Sequence, residues 1–232
     1  MWLIEKFNEG GVFMYFIFIF GVLSLALIIE RYITLFKKEI EPKQTFRNNL
    51  LNYISIGDFN AATRFSETQN TAENAALARI AKIGCTLRAQ GAGDEEIQAR
   101  MDEALSNEIH QIDRNTGFLG MFGNVATLLG LLGTITGMIH SFAAVASANP
   151  ADRATMLSRG ISEAMNCTAF GLIVAIPALV AFAVYQNKTD RLIAKITGMT
   201  SEIYHDLLFI TSKRPVQNVV NNNNRTEAHP MN

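Results

Sequence analysis

Signatures of catalysis are missing from this sequence. It has no phosphate-cradling glycine loop followed by lysine, no His-Glu-x-x-His helix and no nucleophile elbow. Cysteine is scarce. Of the two, Cys85 falls in a polar segment and Cys167 in an apolar one, so both are expected to be reduced and structural. Neither stands at metal-ligand spacing from any of the four histidines, so no metal or cofactor is expected. A net charge of -1 gives no reason to expect nucleic acid as a partner. There is no repeat of solenoid length. These absences point away from an enzyme.

Charge is also absent from three long stretches: Gly10 to Ile29, Asn115 to Ala151 and Ala164 to Asn187. A membrane-spanning helix needs about 20 mostly apolar residues, so each stretch is long enough to cross a bilayer. The middle one would reach roughly 50 Å as a helix, so part of it must project beyond the hydrocarbon. Basic residues crowd the end of the first span (Arg31, Lys37, Lys38, Lys43, Arg47) and follow the third (Lys188, Arg191, Lys195). The link between the second and third spans offers Arg153 and Arg159, and the amino terminus offers Lys6 beside Glu5 and Glu9. That asymmetry places the amino terminus outside, and the middle segment and carboxyl terminus inside. A cleaved leader fits poorly, because the start lacks a basic region and Glu30-Arg31 directly follows the apolar run.

The segment between the first two spans reads as helices. Gly57-Asp58 opens a turn, and Thr71 can cap a helix that QGAG ends. Asp94 starts another, with no Pro or Gly before Gly117, so one unbroken helix is expected to run from there into the second span. The last residues, with Pro215 and the run Asn221 to Asn224, carry too little apolar surface to offset ordering entropy.

The second and third spans carry polar and small residues on one side. Gly123, Thr127, Gly130, Thr134, Gly137 and Ser141 recur at steps of four and three, and Ala164, Thr168, Gly171, Ala175 and Ala178 repeat the pattern. Small residues let helices approach closely in lipid, and both stripes read first as packing surfaces. Thr134 and Thr168 are open between packing and function, since a threonine can also bond back to its own helix. A row of hydroxyls can carry water and protons but cannot hold a proton as a carboxylate does.

Glu163 is the nearest acid. It can sit at the mouth of the third span in a functional role, or favour the helix dipole beside Arg159. His140 reads as interfacial, Asn166 needs a partner, and Pro177 should bend the third span.

In LLGLLGTITGMIHSF and GISEAMNCTAFGLIVAIPA, in the first span followed by ERYITLF, and in the GDFNAA turn, the chain resembles the ExbB/TolQ branch of the MotA/TolQ/ExbB family. The resemblance covers nearly everything up to about Ser212. It implies an all-α membrane protein with three transmembrane helices and long cytoplasmic helical extensions, assembling as a pentameric bundle. The implied organisation is a periplasmic N-terminus (1–10), a first span with its extension (11–36), a cytoplasmic helical segment (37–114) and a second span (115–147). A periplasmic loop (148–160), a third span (161–187), a cytoplasmic helix extension (188–212) and a disordered tail (213–232) follow.

The resemblance further implies an inner-membrane motor subunit. Its partners would be an ExbD/TolR-type single-span protein, which supplies the membrane aspartate, and a periplasm-spanning protein of the TonB or TolA type. The ion would be H+, with Na+ as an alternative. Thr134 stands at the family's LLGT position and Thr168 at its Thr-Ala-x-Gly-Leu position, both facing that aspartate. Glu163 matches the acidic residue of the G-I-x-E-A stretch. Asn166 and Cys167 depart from the pattern. The rival readings are a TolQ-like envelope-integrity subunit, a sodium-coupled subunit and a passive membrane scaffold.

Overall fold

The computed structural model describes residues 11–37, 41–71 and 73–212. Among them every regular element is helical. In chain order these are α1 (Gly11–Tyr32), prolonged by a π-helical turn at Ile33–Lys37, α2 (Gln44–Ile56), α3 (Phe59–Thr68), α4 (Ala75–Ala89), α5 (Asp94–Asp113), α6 (Thr116–Ser147) and α7 (Arg153–Ser212). Three helical stretches are long and apolar enough to cross a membrane: Val12–Phe36, Asp94–Ser147 and Arg153–Leu208. The N-terminal residues 1–10 and the tail 213–232, for which periplasmic and disordered states are expected, lie outside the described residues.

The chain divides into two compact units. One comprises Met1–Glu39 with His110–Leu192, the other Ile40–Ile109 with Ile193–Asn232.

The first unit holds the apolar spans. α1 is rich in Phe and Leu, and it buries one narrow strip while leaving Tyr15, Phe16, Phe18, Ile19, Val22 and Leu25 exposed. Its buried strip meets α6 and α7 in two clusters. Ile17 packs with Ala126, Cys167 and Ala175. Leu35 packs with Leu119, Ala178 and Tyr185. The Tyr185 hydroxyl donates to the Ile28 carbonyl at 3.1 Å, which gives a phenol among apolar side chains the partner it needs. At the far end of α1 the Arg31 side chain is buried, and its Nη1 donates to the Ile112 carbonyl at 3.2 Å. Ile112 lies in the last turn of α5, where carbonyls lack helical partners and a cation is favoured.

The second unit is built from short amphipathic helices. Leu50, Ile54, Leu77, Ile80, Ile97, Met101, Ile203 and Leu207 are fully buried in it. Gly57 ends α2 with φ 81, and the Asp58 side chain then caps α3 by accepting from the Ala61 N–H at 2.9 Å. Arg79 forms a two-pronged bond to Glu108, at 2.6 Å on each prong. That bond, more than the opposing effect of burial, raises the guanidinium above its ordinary range. Burial pushes the Cys85 thiol up to about 12, so it is a protonated, inert core residue.

Three expectations on helix boundaries are corrected. α5 and α6 are not one helix: the chain breaks at Arg114-Asn115, and Asn115 takes φ 72. Asparagine tolerates the left-handed region better than other residues bearing a Cβ, so it breaks a helix where no Pro or Gly stands. α7 begins at Arg153, so residues 153–160, expected as loop, are helical. Gly160 lies within this helix, where an added Cβ would collide with the Ser141 hydroxyl. The N-cap of α4 is Asn74 rather than Thr71, and its side-chain oxygen is engaged by the Lys43 N–H at 3.0 Å.

Candidate functional site

α6 and α7 meet along a seam of small residues. A Cβ placed on Gly130 would lie 3.3 Å from Thr168 Cα, and one on Gly171 would lie 2.9 Å from the Ala126 carbonyl oxygen. Towards one end, a Cβ on Gly137 would come 3.1 Å from Ala164 Cβ. Towards the other, a Cβ on Gly123 would meet Leu179 at 2.9 Å and the Ala175 carbonyl at 3.4 Å. The glycines of α6 thus face the alanines and Gly171 of α7 at near backbone-to-backbone distance, which is how helices gain packing energy in lipid. Ala178 packs in the cluster with Leu119.

The hydroxyls divide into two kinds. Thr168 alone bridges the seam, its Oγ1 donating to the Gly130 carbonyl of α6 at 2.9 Å. The others bond back to their own helix: Thr127 to Gly123 at 3.1 Å, Thr134 to Leu131 at 2.6 Å and Ser141 to Gly137 at 2.7 Å. Ser141 is buried, Thr134 and Thr168 are half-buried, and Thr127 is exposed. Each donor is therefore satisfied inside the chain, while the hydroxyl oxygens keep acceptor capacity.

Thr127 and Thr134 lie about two turns apart on one side of α6. That side is turned away from α1, which meets α6 through Ala126, Leu129 and Gly133. The uncharged stretches that carry these threonines contain no carboxylate.

Glu163 is not brought to the two threonines. It precedes Thr168 by about 7.5 Å along α7 and about 140° around it. It lines instead a cavity beside the first turn of α1, together with His140 and Arg159. Pro177 is exposed, and α7 runs through it as a single helix.

Two features escape the pattern of small residues. Thr136 reaches the Leu132 and Gly133 carbonyls at 2.9 and 3.2 Å, and like Ser141 it lines the cavity. Asn166 Nδ2 is buried without a hydrogen-bond partner among the described residues. The sequence signals Asn166 by its chemistry alone, as an amide within an apolar span.

A profile of the MotA/TolQ/ExbB proton channel family matches residues 70–197, more than half the chain and the whole of the α6–α7 seam. The chain belongs to the MotA/TolQ/ExbB proton channel family. Within it, the chain is similar to the biopolymer transport protein ExbB-like 3 of Synechocystis, 31% identical over 196 residues that cover 84% of this chain and 90% of that protein. It is also similar to the Tol-Pal system protein TolQ of Pseudomonas aeruginosa, 34% identical over 108 residues, which are 47% of this chain and 46% of TolQ. A third relative is the biopolymer transport protein ExbB of Pseudomonas putida, 28% identical over 109 residues, 47% of this chain and 33% of that protein. Membership in the MotA/TolQ/ExbB family and three apolar helices make this a multi-pass protein of the bacterial inner membrane.

Proposed function

We propose that this member of the family is an ExbB-like subunit of a proton-driven motor. With an ExbD/TolR-type single-span partner it converts proton-motive force into work on a TonB-type periplasm-spanning protein that serves outer-membrane transport. The observation that carries this reading is the row of hydroxyls beside a close-packed seam, in uncharged stretches (115–151 and 164–187) that hold no acid of their own. Thr127, Thr134 and Thr168 offer oxygens to water and to protons in transit but store no charge. A titrating carboxylate must then come from another chain, which is what a partner with a membrane aspartate supplies. Thr134 and Thr168 are assigned to that path. Glu163 is assigned to its outer mouth.

The ion is taken as H+, although hydroxyl and carbonyl oxygens suit Na+ as well. The chain is oriented with its amino terminus and the α6–α7 link in the periplasm, following the distribution of its basic residues. Five copies enclose the partner.

The test is proton flux in proteoliposomes holding this chain and its single-span partner. Thr168→Val is expected to lower flux by at least about tenfold while the two proteins still copurify. Thr168→Ser, which keeps a donor for the Gly130 carbonyl, is expected to retain flux. Wild-type flux in the valine variant would remove Thr168 from the path.

A TolQ-like role in envelope integrity is the second reading, supported by the 34% identity to TolQ across part of the chain. Deleting the gene separates the two roles. Loss of energised uptake across the outer membrane favours the ExbB-like role, and sensitivity of the cells to detergent favours the TolQ-like one.

A further inference from the structure

The seam does not use the cavity at the start of α1. That cavity has a volume of about 690 Å³, within the range of roughly 300–1,000 Å³ typical of ligand sites. Val12 and Phe13 of α1 form one wall, α6 between Gly133 and Ala144 a second, and α7 between Met156 and Glu163 the third. Besides the Thr136 and Ser141 hydroxyls, which bond back to their own helix, its polar groups are one guanidinium (Arg159), one carboxylate (Glu163) and one imidazole (His140). Arg159 and Glu163 stand four residues apart on one helix, where an ion pair is favourable, yet neither forms one among the described residues. Both charges are therefore available to a third molecule.

We propose that this cavity binds the headgroup of phosphatidylethanolamine. The cavity lies where the uncharged stretch of the third span begins, immediately after Glu163, and so at the level where a bilayer presents its headgroups. A phosphate accepts two parallel N–H bonds from Arg159, and the His140 ring offers a further donor. The primary ammonium of the same headgroup donates to the Glu163 carboxylate. Val12, Phe13 and Met156 give the glycerol and the first acyl methylenes an apolar wall.

The paired charges choose among lipids. A phosphatidylglycerol headgroup has no cation for Glu163 and leaves that carboxylate beside a second negative charge. A choline headgroup carries a cation with no N–H to donate. This inference rests on the membrane placement of the chain, and it shares Glu163, but neither Thr134 nor Thr168, with the motor reading.

The test is native mass spectrometry of the full chain, delipidated in mild detergent and given equal amounts of phosphatidylethanolamine, phosphatidylglycerol and phosphatidylcholine. Phosphatidylethanolamine is expected to be retained about tenfold more than either competitor, and Arg159→Gln is expected to lose that preference. Ala144→Phe, which fills the cavity without removing a charge, is expected to lose it too, and covers the case in which the arginine variant does not fold. Equal retention of the three lipids, or an unchanged preference in both variants, overturns the proposal. Inorganic phosphate added at millimolar concentration is expected to leave retention unchanged; displacement of the lipid would make this a site for free anions and overturn the assignment.

Discussion

Gly171 stands so near the Ala126 carbonyl that a single methyl group would meet backbone at 2.9 Å. Backbone inside a helix cannot move aside as a flexible side chain can, so Gly171→Ala must part the two helices. Its expected cost is about 1–3 kcal/mol, the range for overpacking a filled interior. Gly198, on the same helix, has nothing within 4 Å of the position a Cβ would take. Gly198→Ala should accordingly be neutral or stabilise by up to about 1 kcal/mol through helix propensity alone. Thermal inactivation of the two variants in one detergent checks the pair, and equal effects would refute the seam as the tighter contact. The spacing of small residues makes this contact legible in the sequence, because period and residue size are both local properties. The division among the hydroxyls is not legible. Thr134 and Thr168 look alike in their spans, yet one bonds to its own helix and the other to its neighbour, a difference set by the rotation of two helices about their axes.

At the scale of elements, the spans and most of the short helices follow from uncharged runs, capping residues and glycines, all of which act within a few residues. The break at Asn115 does not, because asparagine is compatible with a helix and with its end, and only the packing around it decides. Arg31 shows what that packing is: its guanidinium sits against the Ile112 carbonyl, one of the groups the ending of α5 leaves free. With Asn115 at φ 72, the side chain at that position is constrained by its backbone. Asn115→Gly is therefore expected to be tolerated, whereas Asn115→Val should destabilise by about 1–2 kcal/mol, since the short asparagine amide can bond locally in the left-handed region and a branched apolar side chain cannot. Comparing melting temperatures of the two variants decides the matter. A valine variant as stable as wild type would mean that α5 and α6 join as one continuous helix.

For the whole molecule, the question is what the exposed apolar surface meets. α1 exposes Phe16, Ile19 and Val22, α6 exposes Leu128, Leu131 and Ile135, and α7 exposes Leu172, Ile176 and Val180. A soluble chain does not carry apolar patches on this scale, whereas a bilayer covers them without cost. Thr127 is exposed among them and Thr134 is half-exposed. In a lone chain both would face acyl chains, where their only satisfaction is the bond each makes to its own helix. If several copies close into a ring, the same side of α6 turns toward an enclosed space that water and a partner helix can fill. The mass of the native assembly in mild detergent distinguishes these situations. Five copies of the 25.6 kDa chain are expected, even without the partner. A monomer or dimer would leave the hydroxyls in lipid, would return them to a packing role and would take away the enclosed path that the proposed proton flow through Thr134 and Thr168 requires.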